Sequence, residues 1–120
     1  EPDFSDKLGG VMNQDDLTDW TYVRDLAMGI QMLTTADKLN HGIYNVGSGR
    51  ATTLKETYDA IKAVIPEAKA KALIPGKTPN MPENPVMDLT RINADTGYVP
   101  AHNIETGFAE YLEWLRHNAQ

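Results

Sequence analysis

Two stretches of the sequence carry residue types at spacings suited to chemistry. In "YNVGSGRATTLKE", residues 44 to 56, a short apolar run meets Gly47-Ser48-Gly49 and then an amphipathic segment. Glycines one residue apart, between a strand and a helix, are how dinucleotide-binding domains bring backbone N–H groups close to a pyrophosphate. That fingerprint also needs a third small residue, and an acidic residue at the end of the next strand to hold a ribose. Here Thr52 holds the third position, and Glu67 follows the helix-stopping Pro66 instead of ending a strand. The pattern therefore reads as a glycine turn that leads a strand into a capped helix. The second stretch is Tyr58-x-x-x-Lys62, with Ser48 upstream. Residues four apart share a helix face, so an ammonium at 62 could lower the Tyr58 pKa and ready the phenol for proton transfer. Tyr58 equally continues the apolar stripe of Leu54 and Ile61, where a core tyrosine is the plain reading, with Lys62 at the polar margin.

The remaining titratable residues offer less. His41, His102 and His117 have no metal-ligand spacing and fall in turns or near helix ends, positions of solvated imidazoles. Asp15-Asp16 and Asp19 read as a solvated acidic loop rather than a cation site, and Asp25 reads as a helix cap. Arg24 and Arg50 lie beside expected loop ends, where they could meet an anion. Lys77 and Arg91 flank a proline-rich loop and carry the same two readings, anion contact or solvated surface cation.

The elements that must position these residues follow from periodicity and punctuation. Residues 1–19 show no sustained period and read as mostly irregular, while Trp20-Thr21-Tyr22-Val23 has the aromatic and β-branched content of a strand. A helix capped by Asp25 should bury Leu26, Ile30 and Leu33 and end between Asp37 and Asn40. His41-Gly42 turns the chain into a second strand, Ile43 to Val46. Thr53-Leu54-Lys55-Glu56 fits a capping box, and the helix it opens presents Leu54, Tyr58, Ile61 and Ile65 until Pro66 stops it. Lys71 to Ile74 can form a further strand, and the four prolines from Pro75 to Pro85 describe a loop. Asp88 caps a short helix closed by Gly97, and Asn103 caps the last one, with Ile104, Phe108, Leu112 and Leu115 as its buried stripe.

Composition bounds the function classes. The 120 residues suit one small domain, too short to hold a cofactor domain and a substrate domain together. Apolar content of 41% and charged content of 23% are ordinary for a globular protein, and no apolar run is long enough to span a bilayer. A net charge of -6 with scattered cations argues against nucleic-acid binding. The absence of cysteine excludes disulfides and suits a reducing cytoplasm, the expected location. The chain opens on Glu1-Pro2-Asp3, so a fragment or processed product is as reasonable an expectation as a complete protein.

Three stretches taken together resemble a known family. They are "DWTYVRDLAMGIQML", "GIYNVGSGRATTLKE" and "MDLTRINADTGYVPAHNIETGFAEYLEWL", covering about residue 19 to 115. In order and separation they look like the C-terminal part of an extended short-chain dehydrogenase, the NAD-dependent epimerase/dehydratase family. The resemblance implies a small α/β lobe with a few short strands and about four helices, attached in the parent to an NAD(P)-binding Rossmann domain that this chain lacks. The family's cofactor loop and its Tyr-x-x-x-Lys pair lie upstream, so Gly47, Gly49, Tyr58 and Lys62 become structural residues. Residues 1–120 are then a substrate-binding region, inert by itself, binding neither cofactor nor metal.

For the parent, the resemblance implies NAD or NADP, a sugar or nucleotide-sugar substrate, a homodimer, and no nucleic-acid or membrane partner. Such enzymes oxidise a sugar hydroxyl to a ketone and then epimerise, dehydrate or reduce it. Substrate contacts are expected from the Pro75 to Pro85 loop and the segment before Trp20. Members that bind nucleotide sugars often carry an arginine at the position of Thr18, where it can pair with diphosphate. A second family arginine has no clear counterpart, although Lys77 lies nearby. Thr18, Lys77 and Arg91 are therefore the candidate substrate-binding residues, and the neutral Thr18 keeps open a reductase or dehydrogenase of a sugar acid or other small carbonyl compound. A free-standing, non-enzymatic binding module is the remaining alternative.

Overall fold

The computed structural model describes residues 13–68, 73–80, 82 and 86–118. In chain order its elements are β1 (Leu17–Thr18), α1 (Val23–Thr35), β2 (Thr52–Thr53), α2 (Leu54–Val64), α3 (Thr90–Thr96) and α4 (Ile104–His117). This is the small α/β arrangement expected, with four helices among the described residues. The sheet is a short antiparallel pair in which Leu17 faces Thr53 and Thr18 faces Thr52.

Two of the caps read from sequence close as expected. Thr53 accepts from the Glu56 amide at 3.1 Å while the Glu56 carboxylate accepts from the Thr53 amide at 2.8 Å. Asn103 and Thr106 make the equivalent reciprocal pair at the start of α4. The cap expected of Asp88 is not made: Leu89 holds the N-cap position of α3 without a side-chain bond, and the Asp88 carboxylate accepts instead from the amide and hydroxyl of Thr90, the first residue of that helix. Gly97 ends that helix at φ 75°, a left-handed conformation that disfavours a side chain.

Helix α2 packs mainly on α4, and α1 on α3. Ile92 and Tyr98 are fully enclosed, and Ala60 and Ile104 complete the buried apolar set among the described residues. Gly29 is the contact point of α1. A Cβ there would stand 2.6 Å from Val46 Cγ1 and 3.2 Å from the Tyr98 ring, so the glycine lets the helix backbone lie directly on both. This close approach outweighs the roughly 1 kcal/mol that glycine loses to alanine inside a helix.

Several expectations are corrected here. Trp20 to Tyr22 forms no strand, and Val23 already belongs to α1, which ends at Thr35, short of Asp37. Asp25 is not the cap; Tyr22 holds that position, and Asp25 lies buried in the first turn. The stripe expected inside is not buried: Leu26 is 39% and Ile30 51% exposed, and Leu33 is half-buried; Val23, expected in a strand, is 63% exposed at the start of the helix. The helix buries Asp25 and Gly29 instead, because fixed partners await them there. Residues 43–46 form no strand, and Ile43 is 76% exposed. A strand needs a neighbouring edge, and the described residues offer none to this segment. Residues 71 and 72 of the strand expected at Lys71 to Ile74 lie outside the described residues, and Ile74 makes an isolated parallel bridge with Asn13.

Candidate functional site

The segment 13–19 gathers the regions expected to touch substrate. Its backbone runs beside the turn at Pro75-Gly76, with Gln14 donating to the Ile74 carbonyl at 2.9 Å and Asp15 to the Gly76 carbonyl at 3.2 Å. Side chains close the same junction from the other direction. The Asp15 carboxylate accepts from the Gly76 amide at 3.1 Å, and Asp16 accepts from the Thr78 amide at 2.8 Å and its hydroxyl at 2.6 Å. Asn13 donates to the Thr78 hydroxyl at 2.7 Å. These carboxylates therefore do not form the solvated acidic loop read from sequence, since their lone pairs serve backbone donors. The Thr78 hydroxyl, more than any other partner, holds the Asp16 carboxyl below the usual carboxylate range, and the Lys77 charge adds to the same shift.

Asp19 answers the question raised by the glycine turn. Its Oδ1 accepts from the Ser48 amide at 3.2 Å and the Ser48 hydroxyl at 2.5 Å, and its Oδ2 from the Met87 amide at 3.0 Å. The turn does cradle an anion, but the anion is the chain's own carboxylate. Gly47 permits this closeness, because a Cβ there would lie 2.9 Å from Met87 Cβ and 3.3 Å from Asp19 Oδ2. Its carbonyl also accepts from the buried Tyr98 hydroxyl at 3.1 Å. Gly49 adopts φ 67°, the left-handed turn conformation. Ser48 is thus committed to Asp19 rather than to Tyr58. Lys62 places its ammonium 5.8 Å from the Tyr58 ring centroid and donates to the Pro66 carbonyl at 2.7 Å, closing the C-terminus of α2.

Of the three candidate contacts, one lies within this junction and one follows it in the chain. Thr18 lies in β1, two residues beyond Asp16, and Lys77 lies exposed between Gly76 and Thr78, which Asp15 and Asp16 hold. Arg91 stands exposed in the first turn of α3, and its charge acts on Asp88. Arg24 and Arg50 do meet anions, those of this chain: Arg24 pairs with Glu110, and Arg50 with Glu56 at 3.1 Å and Glu105 at 3.5 Å.

A second cluster was hidden from sequence reading. Buried Asp25 accepts from the His102 amide at 2.9 Å and faces its Nδ1 at 2.8 Å, while Glu110 faces Nε2 at 3.0 Å. With a carboxylate on each ring nitrogen, His102 is not the solvated imidazole expected; the hydrogen bond to Asp25 leads in raising its pKa, against burial. His41 and Asn40 likewise converge on Asp95, together with the Tyr44 hydroxyl at 2.5 Å. These donors, Tyr44 first, hold the Asp95 carboxyl far below the usual range. Asp25 lies 77 residues from His102 and Asp95 lies 51 to 55 residues from its donors, so no local pattern marks these pairs; Glu110 alone is near its partner, eight residues on from His102. His117 stays exposed and faces the Glu113 carbonyl at 3.0 Å.

An apolar groove of about 240 Å³ opens between the 20–23 segment and α4, lined by Trp20, Tyr22, Val23, Ile104, Phe108 and Tyr111 among others. Thr18, Lys77 and Arg91 do not line it. Among the described residues, no group of His, Asp and Glu is arranged to hold a metal ion, and no helix is long and apolar enough to cross a membrane.

Comparison with known proteins gives this geometry a context. No family model matches the chain. Its sequence is 25% identical over 113 residues to a dTDP-glucose 4,6-dehydratase of Salmonella typhimurium, covering 88% of this chain and 31% of the dehydratase. The Bordetella bronchiseptica enzyme WbmF, solved with NADH, superposes with a TM-score of 0.75 at 19% identity, over 91% of this chain and 32% of WbmF. UDP-glucose 4-epimerase of Thermotoga maritima, solved with UDP-glucose, gives 0.72 at 20% identity, over 92% of this chain and 35% of the epimerase. The chain thus spans about a third of the length of each protein it matches. In fold, and in a sequence likeness that runs over most of its length, it is similar to one part of the extended short-chain dehydrogenases of the NAD-dependent epimerase/dehydratase group, and fits their C-terminal portion.

Proposed function

We propose that residues 1–120 are the substrate-binding portion of an NAD(P)-dependent epimerase or dehydratase that acts on a sugar or nucleotide sugar. The observation that carries this reading is the junction between segment 13–19 and the turn at Pro75 to Thr78, in which Lys77 is exposed and Thr18 follows Asp16 by two residues in the chain. Lys77 meets the substrate's anionic group; its compact ammonium suits phosphate or carboxylate without needing the planar fork of arginine. Arg91, exposed in the first turn of α3, is the second cation of this reading. NAD or NADP is held by a Rossmann domain outside this chain, in a cytoplasmic and homodimeric parent. The exposed stripe of Val23, Leu26 and Ile30 and the unpaired, exposed Ile43 support a further domain packing here, and weigh against a free-standing module.

Thr18 favours one second reading. A neutral residue at this place leaves Lys77 as the cation nearest the junction, which suits a sugar acid or other small carbonyl compound handled by a reductase or dehydrogenase. Kinetics on the whole protein separate these. Lys77→Ala should raise KM and spare kcat, the signature of lost uniform binding. An unchanged KM for both a nucleotide sugar and a sugar acid would sink the assignment of Lys77, and the substrate whose KM moves identifies the class.

A further inference from the structure

Lys77 is flanked by two backbone amides that are both held by carboxylates of one short segment. The Gly76 amide donates to Asp15 Oδ2 at 3.1 Å, and the Thr78 amide to Asp16 Oδ1 at 2.8 Å. The second oxygen of Asp16 takes the Thr78 hydroxyl at 2.6 Å, so this carboxylate grips one residue at two points. Asn13 adds a contact to the same hydroxyl at 2.7 Å, and the Ile74 and Gly76 carbonyls accept from Gln14 and Asp15. The turn is therefore clasped at 74, 76 and 78, and Lys77 is the residue whose backbone the clasp encloses and whose side chain points to an exposed position.

We infer that Asp15 and Asp16 are positioning residues, which fix the backbone on both sides of Lys77 and so set where its ammonium can meet an anion. This rests on the reading of Lys77 as a substrate contact. The physical reason is entropic. A lysine on a mobile turn must order its backbone on binding, whereas on a clasped turn that ordering is already done. The chemistry also requires a carboxylate at 16. Its two acceptor oxygens receive an N–H and an O–H from the same residue, while an asparagine would offer a single carbonyl oxygen.

The test uses the whole protein, with UDP and glucuronate as separate probes for diphosphate and carboxylate. Hydrogen exchange at the Thr78 and Gly76 amides is measured beside probe affinity in Asp16→Ala, Asp16→Asn, Asp15→Ala and Lys77→Ala. Expected is roughly tenfold or greater acceleration of Thr78 exchange in Asp16→Ala, with a comparable loss of affinity for whichever probe Lys77→Ala also weakens. Asp16→Asn, which keeps one acceptor, should fall between Asp16→Ala and the native protein, and it serves alone where the alanine variant does not fold. The Michaelis constant should rise in step with turnover spared. Unchanged exchange in the aspartate variants would overturn the inference. So would faster exchange with intact affinity, if Lys77→Ala still weakens binding; in that case the substrate reading survives. If Lys77→Ala itself leaves both probes and both substrates unaffected, the reading falls, and the inference with it.

Discussion

The face around segment 13–19 and the outer face of α1 handle their surfaces in opposite ways. On the first, carboxylates of Asp15, Asp16 and Asp19 each find backbone or hydroxyl donors within this chain. On the second, Val23, Leu26 and Ile30 form an apolar stripe at helical spacing that the described residues leave 39% to 63% exposed. Polar demands close internally while apolar demands stay open. Hydrogen bonds must be satisfied by groups a few ångström away, so they report the local fold. Apolar area is satisfied by whatever large surface covers it, so it reports what the chain packs against.

The sharpest way to break this contrast is to compare a covered and an uncovered isoleucine. Ile92 is fully buried, and Ile92→Ala should cost about 2–5 kcal/mol of stability in a denaturant titration of the chain. Ile30→Ser on the same chain should stay within about 0.5 kcal/mol. In the whole protein it should lose about 1.5–3 kcal/mol, the value of burying that side chain. Equal effects in both settings would mean the stripe is an ordinary surface.

A smaller effect sharpens the polar half. Asp19→Ala removes the acceptor of the Ser48 and Met87 donors and should destabilise the chain by about 2 kcal/mol, with Asp19→Asn between it and the native protein. The Ser48 amide should also exchange faster with solvent; if it does not, the glycine turn holds its shape without the carboxylate.

The Asp25, His102 and Glu110 cluster predicts a pH dependence. Because the folded-state pKa of His102 is raised, the native protein holds the proton more tightly than the unfolded chain does. That stabilisation is complete below the ordinary imidazole value of about 6.5 and is lost as pH rises through the higher folded value. His102→Gln should lack this component, visible as a flatter stability profile from about pH 6 upward. A native profile of the same slope as the variant's would show that the ring's two carboxylate partners do not act as drawn.

Smallest of all is Tyr58→Phe. The hydroxyl is removed from a half-buried ring whose neighbour Lys62 already closes the helix end on Pro66, so stability should change by less than about 1 kcal/mol. Turnover of the whole protein should stay nearly intact. A fall of about a hundredfold, with folding unchanged, would return this tyrosine to the proton-transfer role its spacing suggests.

The sequence by itself determined the features whose two halves lie within a few residues. The capping boxes at Thr53-Glu56 and Asn103-Thr106, the Pro66 and Gly97 stops and the short helix after Asp88 could all be read, because a cap is closed by its own first turn. The resemblance carried by three separated stretches also held at the level of fold. Only the tertiary structure decided which face of α1 turns inward. Periodicity marks an apolar stripe without saying what covers it, and Gly29 and Asp25 found partners at Val46, Tyr98 and His102 that no window of sequence contains. It decided likewise that residues 43–46 stay unpaired here, since a strand propensity becomes a strand only where an edge is supplied. And it turned three aspartates from an acidic loop into ligands for backbone amides, because an ion in a folded chain is defined by the donors that distant segments bring to it.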